Sequence, residues 1–165
     1  MCMADNNVKI GLGTSNYVIS KKDFELINAL QGYCQKKLGS NVELSSYQSP
    51  NFMDVSQYVI PKIGIEINPQ SHNITKIQIL SCGLEEVVGL EGFSELIQLD
   101  LRNNKLKILP LSLCDSLYKN KAEVYVHDNF IPLEDEHGTK SDGLFTTWIL
   151  NEQYYTIDFE VFKKE

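Results

Sequence analysis

The chain is poor in most of the features that announce a chemistry. Its 165 residues hold four cysteines, Cys2, Cys34, Cys82 and Cys114, far apart and with no C-x-x-C spacing. Disulfide scaffolds are small and cysteine-dense, so reduced thiols in a cytoplasmic protein are expected instead. The longest cationic runs are Lys21-Lys22 and Lys36-Lys37, and the net charge is −7. Gripping nucleic-acid phosphates needs clustered Lys and Arg, so no nucleic-acid partner is expected. No apolar run approaches the roughly 18 residues of a membrane span, so no membrane partner is expected either. The first twelve residues lack the cationic and apolar regions of a signal peptide. Cytoplasmic localisation follows as the expectation; an effector exported without a signal peptide reads the same way.

Signatures of catalysis are equally scarce. His72, His127 and His137 stand in unrelated contexts, with no ligand spacing for zinc. Neither G-x-S-x-G nor H-E-x-x-H occurs. Gly11-x-Gly13 has Asn16 where a dinucleotide fingerprint needs a third glycine, and no Gly-Lys-Ser/Thr follows. It reads as a hairpin turn. The acidic stretch 134–143 lacks the EF-hand spacing and reads as a solvated loop. Cys34 falls on an apolar helical stripe and no histidine precedes His72, so it reads as a core filler rather than a nucleophile. No enzyme activity, metal or cofactor is expected.

What the chain does have is a repeat. Ile74, Ile77, Ile79, Cys82, Leu84 and Val87 recur 22 residues on as Leu96, Leu99, Leu101, Asn104, Leu106 and Leu109. Val124, Val126, Asn129 and Ile131 then answer Leu99, Leu101, Asn104 and Leu106 after a longer step of 25. A fixed period in this range marks a stacked architecture, in which one unit cannot bury its own apolar edge and neighbours do so for it. The apolar-x-apolar piece is a short strand with alternate side chains on opposite faces. It places Ile77, Ile79, Leu99, Leu101, Val124 and Val126 inward. Cys82, Asn104 and Asn129 occupy the following turn. An Asn amide offers both donor and acceptor to the backbone of a buried turn, so Asn104 and Asn129 are expected to bond neighbouring coils, with Cys82 a compact substitute.

The run Leu96-x-x-Leu99-x-Leu101-x-x-Asn104-x-Leu106 resembles the leucine-rich repeat family. Val87, Leu90, Phe93 and Leu96, continuing at threes, are similar to its 22-residue, phosphatase-regulator class. About 60 residues carry the resemblance, and the third copy departs from it at its lead position, Lys121. The resemblance implies an α/β fold: a short solenoid of about three repeats with parallel strands, each returning through a short helix or 3₁₀ turn. It also implies that partners are met on the concave strand face.

The flanks read as caps. Val8, Ile10 and Leu12 alternate as a strand that returns through Tyr17-Val18-Ile19. Ser20 is a candidate N-cap for a helix over 21–38 with Phe24, Ile27, Leu30, Cys34 and Leu38 on one stripe, stopped by Gly39. Residues 42–44 read as a strand, 45–51 as a loop, and Phe52, Val55 and Val59 as a short helix or turn. Residues 60–80 read as a hairpin that starts the array. Toward the C-terminus, 144–150 and 155–161 form a second hairpin, with Trp148 in the core. The expected organisation is an N-terminal α/β cap (1–60), a repeat core (61–133) and an acidic loop with a hairpin cap (134–165), in one continuous domain.

The same arithmetic names the outward side chains. They form three columns: Lys76, Gln98 and Glu123; Gln78, Asp100 and Tyr125; Leu80, Arg102 and His127. Arg and Tyr are enriched at interface hot spots. The function expected is a protein–protein interaction module using these nine positions, anchored on Arg102 and Tyr125, and monomeric by itself. The alternative is an acidic inhibitor, immunity-type protein or bacterial effector that binds a basic enzyme. An activity in the N-terminal segment, near Cys34 or Tyr47, is the third reading.

Overall fold

The computed structural model describes residues 6–50, 60–107, 109–126, 128–130, 146–150 and 153–157, with the backbone alone for 111, 118 and the last two segments. The fold is mixed α/β with a mostly parallel sheet. Strands β1 (Asn7–Leu12) and β2 (Ser15–Ser20) make a separate antiparallel hairpin. Gly13 supplies the positive φ (64°) of its turn, the conformation glycine takes without cost.

Helix α1 (Lys21–Leu38) follows directly. The Ser20 hydroxyl accepts from the Asp23 N–H at 3.3 Å, and Gly39, at φ 72°, donates back to the Gln35 carbonyl. Both ends are capped as the sequence predicts. Ile27, Leu30 and Cys34 are buried, with Phe24 and Leu38 half-buried against the same core. One contact was not legible. Asp23 is fully buried, and its Oδ2 accepts from the Ile74 N–H at 2.7 Å. A carboxylate in the first turn of the helix thereby fixes where the repeat begins.

The main sheet runs β3 (Leu44–Ser46), β4 (Lys62–Ile67), β5 (Ile74–Leu80), β6 (Gln98–Asp100), β7 (Glu123–Tyr125), β8 (Thr146–Leu150), β9 (Gln153–Ile157), in that spatial order. The pairs β4–β5 and β8–β9 are antiparallel hairpins, as expected; the other four pairings are parallel. Strand β3 lies at 44–46, so part of the predicted loop is an edge strand. The helix suggested by Phe52, Val55 and Val59, the position of Ile131, the acidic loop and the Trp148 side chain lie outside the described residues.

The strand register equals the sequence repeat. Ile77 pairs with Leu99, and Leu99 with Val124. Those residues, with Ile79, Leu101 and Val126, show 0% exposure. Each such side chain contributes about 1.5–3 kcal/mol relative to an exposed one. After β5 the chain turns through Ser81 (φ 58°), after β6 through Asn103 (φ 57°) and after β7 through Asp128 (φ 63°), three equivalent positions sharing one left-handed conformation.

Asparagine then ties the turns together. Asn104 Oδ1 accepts from the Cys82 and Leu84 N–H groups at 3.0 and 3.2 Å, and its Nδ2 donates to the Ile79 and Leu101 carbonyls at 2.8 and 3.0 Å. Asn129 repeats the pattern one coil on, accepting from Leu106 N–H at 2.9 Å and donating to Leu101 O at 2.7 Å. The return arcs differ: a 3₁₀ turn at Leu90–Gly92 in the first, helix α2 (Leu111–Lys119) in the longer second.

Candidate functional site

The outward face of β4–β7 forms three rows, fixed by register. The first is Glu66, Lys76, Gln98 and Glu123; the second is Gly64, Gln78, Asp100 and Tyr125. The third begins with the Lys62–Leu80 pair and continues to Arg102. Neighbouring strands stand about 4.8 Å apart, so each row is a close ladder.

The nine predicted display residues divide sharply on burial. Gln78, Leu80, Asp100 and Arg102 are no more than 1% exposed and Tyr125 only 7%. The expectation that these five present themselves to solvent is therefore corrected. Lys76 and Gln98 are half-buried and Glu123 is exposed. His127 lies outside the described residues.

The middle row is covered for a local reason. Gly64 carries no side chain, so the Gln78 amide lies across it; a Cβ at Gly64 would stand 2.5 Å from Gln78 Oε1. Beyond β3 the chain passes over this gap. The Tyr47 N–H still donates to Ile65 O at 2.9 Å, and the Gln48 backbone then pairs with the Gln78 side chain. Gln48 N–H donates to Oε1 and Nε2 donates to Gln48 O, both at 2.9 Å. The amide thus behaves like one more strand residue.

Beneath lies a buried ion pair. Arg102 Nε donates to Asp100 Oδ1 and Nη2 to Oδ2, each at 2.8 Å. Gln78 Nε2 adds a third donor to Oδ2 at 3.2 Å. Such a pair tolerates burial because several donors converge on both oxygens of the carboxylate. Its surroundings register the dry setting. Burial pushes the Tyr47 phenol up, with the Asp100 charge adding to it, and burial pulls the Lys62 ammonium down despite the nearby Asp100. Lys62, opposite Leu80, and Tyr47 therefore flank the third and second rows.

The first row remains open. Lys76 Nζ pairs with Glu66 Oε2 at 3.4 Å and sits 5.8 Å from the Tyr47 ring centroid. Gln98 Nε2 donates to the Tyr125 hydroxyl, which donates to Glu123 Oε2, both at 3.3 Å. Lys76 and Gln98 each engage a neighbour on this face, and the row ends in a carboxylate on either side. Sequence reasoning missed Glu66, Gln48 and Lys62, and named Tyr47 only beside an N-terminal activity. The alternation Ile63, Ile65, Ile67 already placed Glu66 outward; nothing local signalled that Tyr47 and Gln48 cross the face.

Among the described residues no group of three or more His, Cys, Asp or Glu side chains is arranged to hold a metal, and no helix is long and apolar enough to cross a membrane. A cavity beside Tyr47, lined by Leu12, Tyr17, Ile65 and Glu66, holds about 120 Å³, and a shallower one of about 460 Å³ lies on the N-terminal hairpin between Lys9–Gly11 and Asn16–Val18. Comparison with protein-family models, with curated proteins and with solved structures finds no match for this chain.

Proposed function

We propose that the chain is a non-enzymatic protein-interaction module: a short leucine-rich repeat solenoid, capped at both ends, that meets its partner along the open row Glu66–Lys76–Gln98–Glu123. The agreement between strand register and sequence period supports the solenoid. The stacked Asn104 and Asn129 turns support it further. The observation that carries the site is the division of the strand face: its middle is sealed by Gln48 on Gln78, and its first row is open. In this reading the molecule is a cytoplasmic monomer, and Asp100 and Arg102 hold the face rigid instead of touching the partner.

The chemistry of the row favours a basic partner, which is the inhibitor-like reading. Its single cation, Lys76, is paired with Glu66, its two end groups are carboxylates, and the whole chain carries −7. Complementary charge of this kind chiefly sets association rate and specificity, and it fades with salt.

The test compares wild type with Glu66→Lys/Glu123→Lys as immobilised baits in extract of the native host, with quantitative mass spectrometry. The expected result is a set of basic proteins retained by wild type at low salt, lost at high salt and lost in the variant, whose circular dichroism and melting are unchanged. Identical retention by both baits would sink the reading.

A further inference from the structure

Gln78 owes its orientation to the sheet beneath it, not to the chain above. Its Nε2 donates one hydrogen to Asp100 Oδ2 at 3.2 Å, and that carboxylate is itself locked by Arg102. Gly64, opposite, leaves the space in which Oε1 lies. What the amide then presents outward is one N–H and one C=O, the hydrogen-bonding edge of a single strand residue. Gln48 takes both with its own backbone, each bond at 2.9 Å. Just before it, the Tyr47 ring lies with its centroid 5.8 Å from Lys76 Nζ.

The segment in this seat fits it imperfectly. The Tyr47 hydroxyl is buried without a hydrogen-bond partner, and so is Gln98 Oε1 in the first row. Buried polar groups left unpaired cost free energy. Gln48 is exposed, and its backbone is tied to the sheet through a side chain instead of a strand ladder.

We propose that the middle row is a seat for an extended peptide segment of a partner, and that Tyr47 and Gln48 fill it as an internal strap that the partner displaces. The occupant it selects is an aromatic residue followed by any residue except proline. The ring takes the place beside Lys76, where cation and ring face attract. The next residue gives its N–H and C=O to Gln78, and proline has no N–H to give. In such recognition main-chain bonds supply affinity and side-chain pockets supply selectivity. Because Asp100 fixes the amide, the seat keeps its shape when the strap leaves, so binding costs little ordering there. A partner competes with a tethered segment, and its apparent affinity falls by the fraction of molecules in which the strap is open. The inference rests on reading the strand face as a partner surface, but it concerns a different row from Glu66–Lys76–Gln98–Glu123.

The test uses the full chain and a synthetic peptide, acetyl-Ser-Ser-Tyr-Gln-Ser-amide, the strap's own sequence supplied in trans. Tyr47→Ala/Gln48→Pro empties the seat. On titration of this variant by NMR, the Gln78 side-chain amide signals are expected to shift and saturate, while wild type binds at least about tenfold more weakly. A peptide with Pro in place of Gln is expected not to bind, and adding Gln78→Met to the opened variant is expected to abolish binding. Should the variant fold poorly, hydrogen exchange of wild type decides. The Gln48 N–H is expected to exchange at least about a hundredfold faster than the amides of β5 and β6, through opening of the strap alone. Unshifted Gln78 signals in a folded variant, equal binding of the Pro peptide, or Gln48 protection equal to that of β5 would overturn the proposal. No native partner is used, so its failure leaves the open-row reading standing, and failure of the open-row test leaves the strap standing.

Discussion

Arg102 holds both carboxylate oxygens of Asp100 at 2.8 Å, and water reaches neither side chain. A pair so placed is costly to form and far more costly to break, because the survivor is a buried charge without its counterpart.

Arg102→Met is accordingly expected to destabilise the protein by about 3–5 kcal/mol, and Asp100→Leu/Arg102→Met by much less than the sum of the two single changes. Urea denaturation of the four chains measures this. A single substitution costing under about 1 kcal/mol would show that the pair is not enclosed.

Asn104 carries the turn hydrogen bonds of two coils, so its loss leaves several buried backbone groups unpaired. Asn104→Ala is expected to cost about 2–4 kcal/mol, and Asn129→Ala, at a half-buried position with fewer bonds, clearly less. Equal midpoints for the two variants would contradict the ladder.

Lys121, two residues past helix α2, stands at φ 54°, and the Ala122 N–H that follows returns to the Leu117 carbonyl at 2.9 Å. Glycine is the residue this closing position prefers. Lys121→Gly is expected to stabilise by about 0.5–1 kcal/mol, the relief of left-handed strain less the added freedom of the unfolded chain. A lower melting temperature in the variant would be the contrary result.

Asp23 titrates above its ordinary value of 3.8, because burial outweighs the Ile74 N–H and the Lys22 charge that favour the carboxylate. The folded chain therefore holds this proton more tightly than the unfolded chain does. The contribution of Asp23 to stability is complete below the unfolded value and is lost as pH rises through the folded one. Asp23→Asn keeps an acceptor for Ile74 and removes the titration. It is expected to gain on wild type as pH is raised from about 4 to about 7. Parallel curves of urea midpoint against pH would refute this.

The parts of the fold readable in sequence were those dictated by short-range period. Leu99 and Val124 pair because 25 residues separate equivalent positions, and Ser20, Gly39 and Asn104 do what their side chains or backbone freedom allow anywhere. Alternation also separated inward from outward side chains correctly. It could not say whether an outward face stays open. Asp100 and Tyr125 share a row with Gln78, which is covered by chain leaving the sheet after Ser46, far earlier in sequence, and the crossing depends on Gly64 standing opposite Gln78. The burial of Asp23 was hidden for the same reason. The partner of its carboxylate, Ile74, belongs to an element with no local trace in the helix.

Between β6 and β7 the chain spends three residues more than between β5 and β6, yet the strands still meet residue for residue. The surplus lies on the outer arc, where α2 replaces a 3₁₀ turn. Insertions and deletions there are thus open to evolutionary drift and to loop grafting. One residue added within β5 would instead exchange the two surfaces of the sheet for the strand residues beyond it, turning greasy side chains toward water.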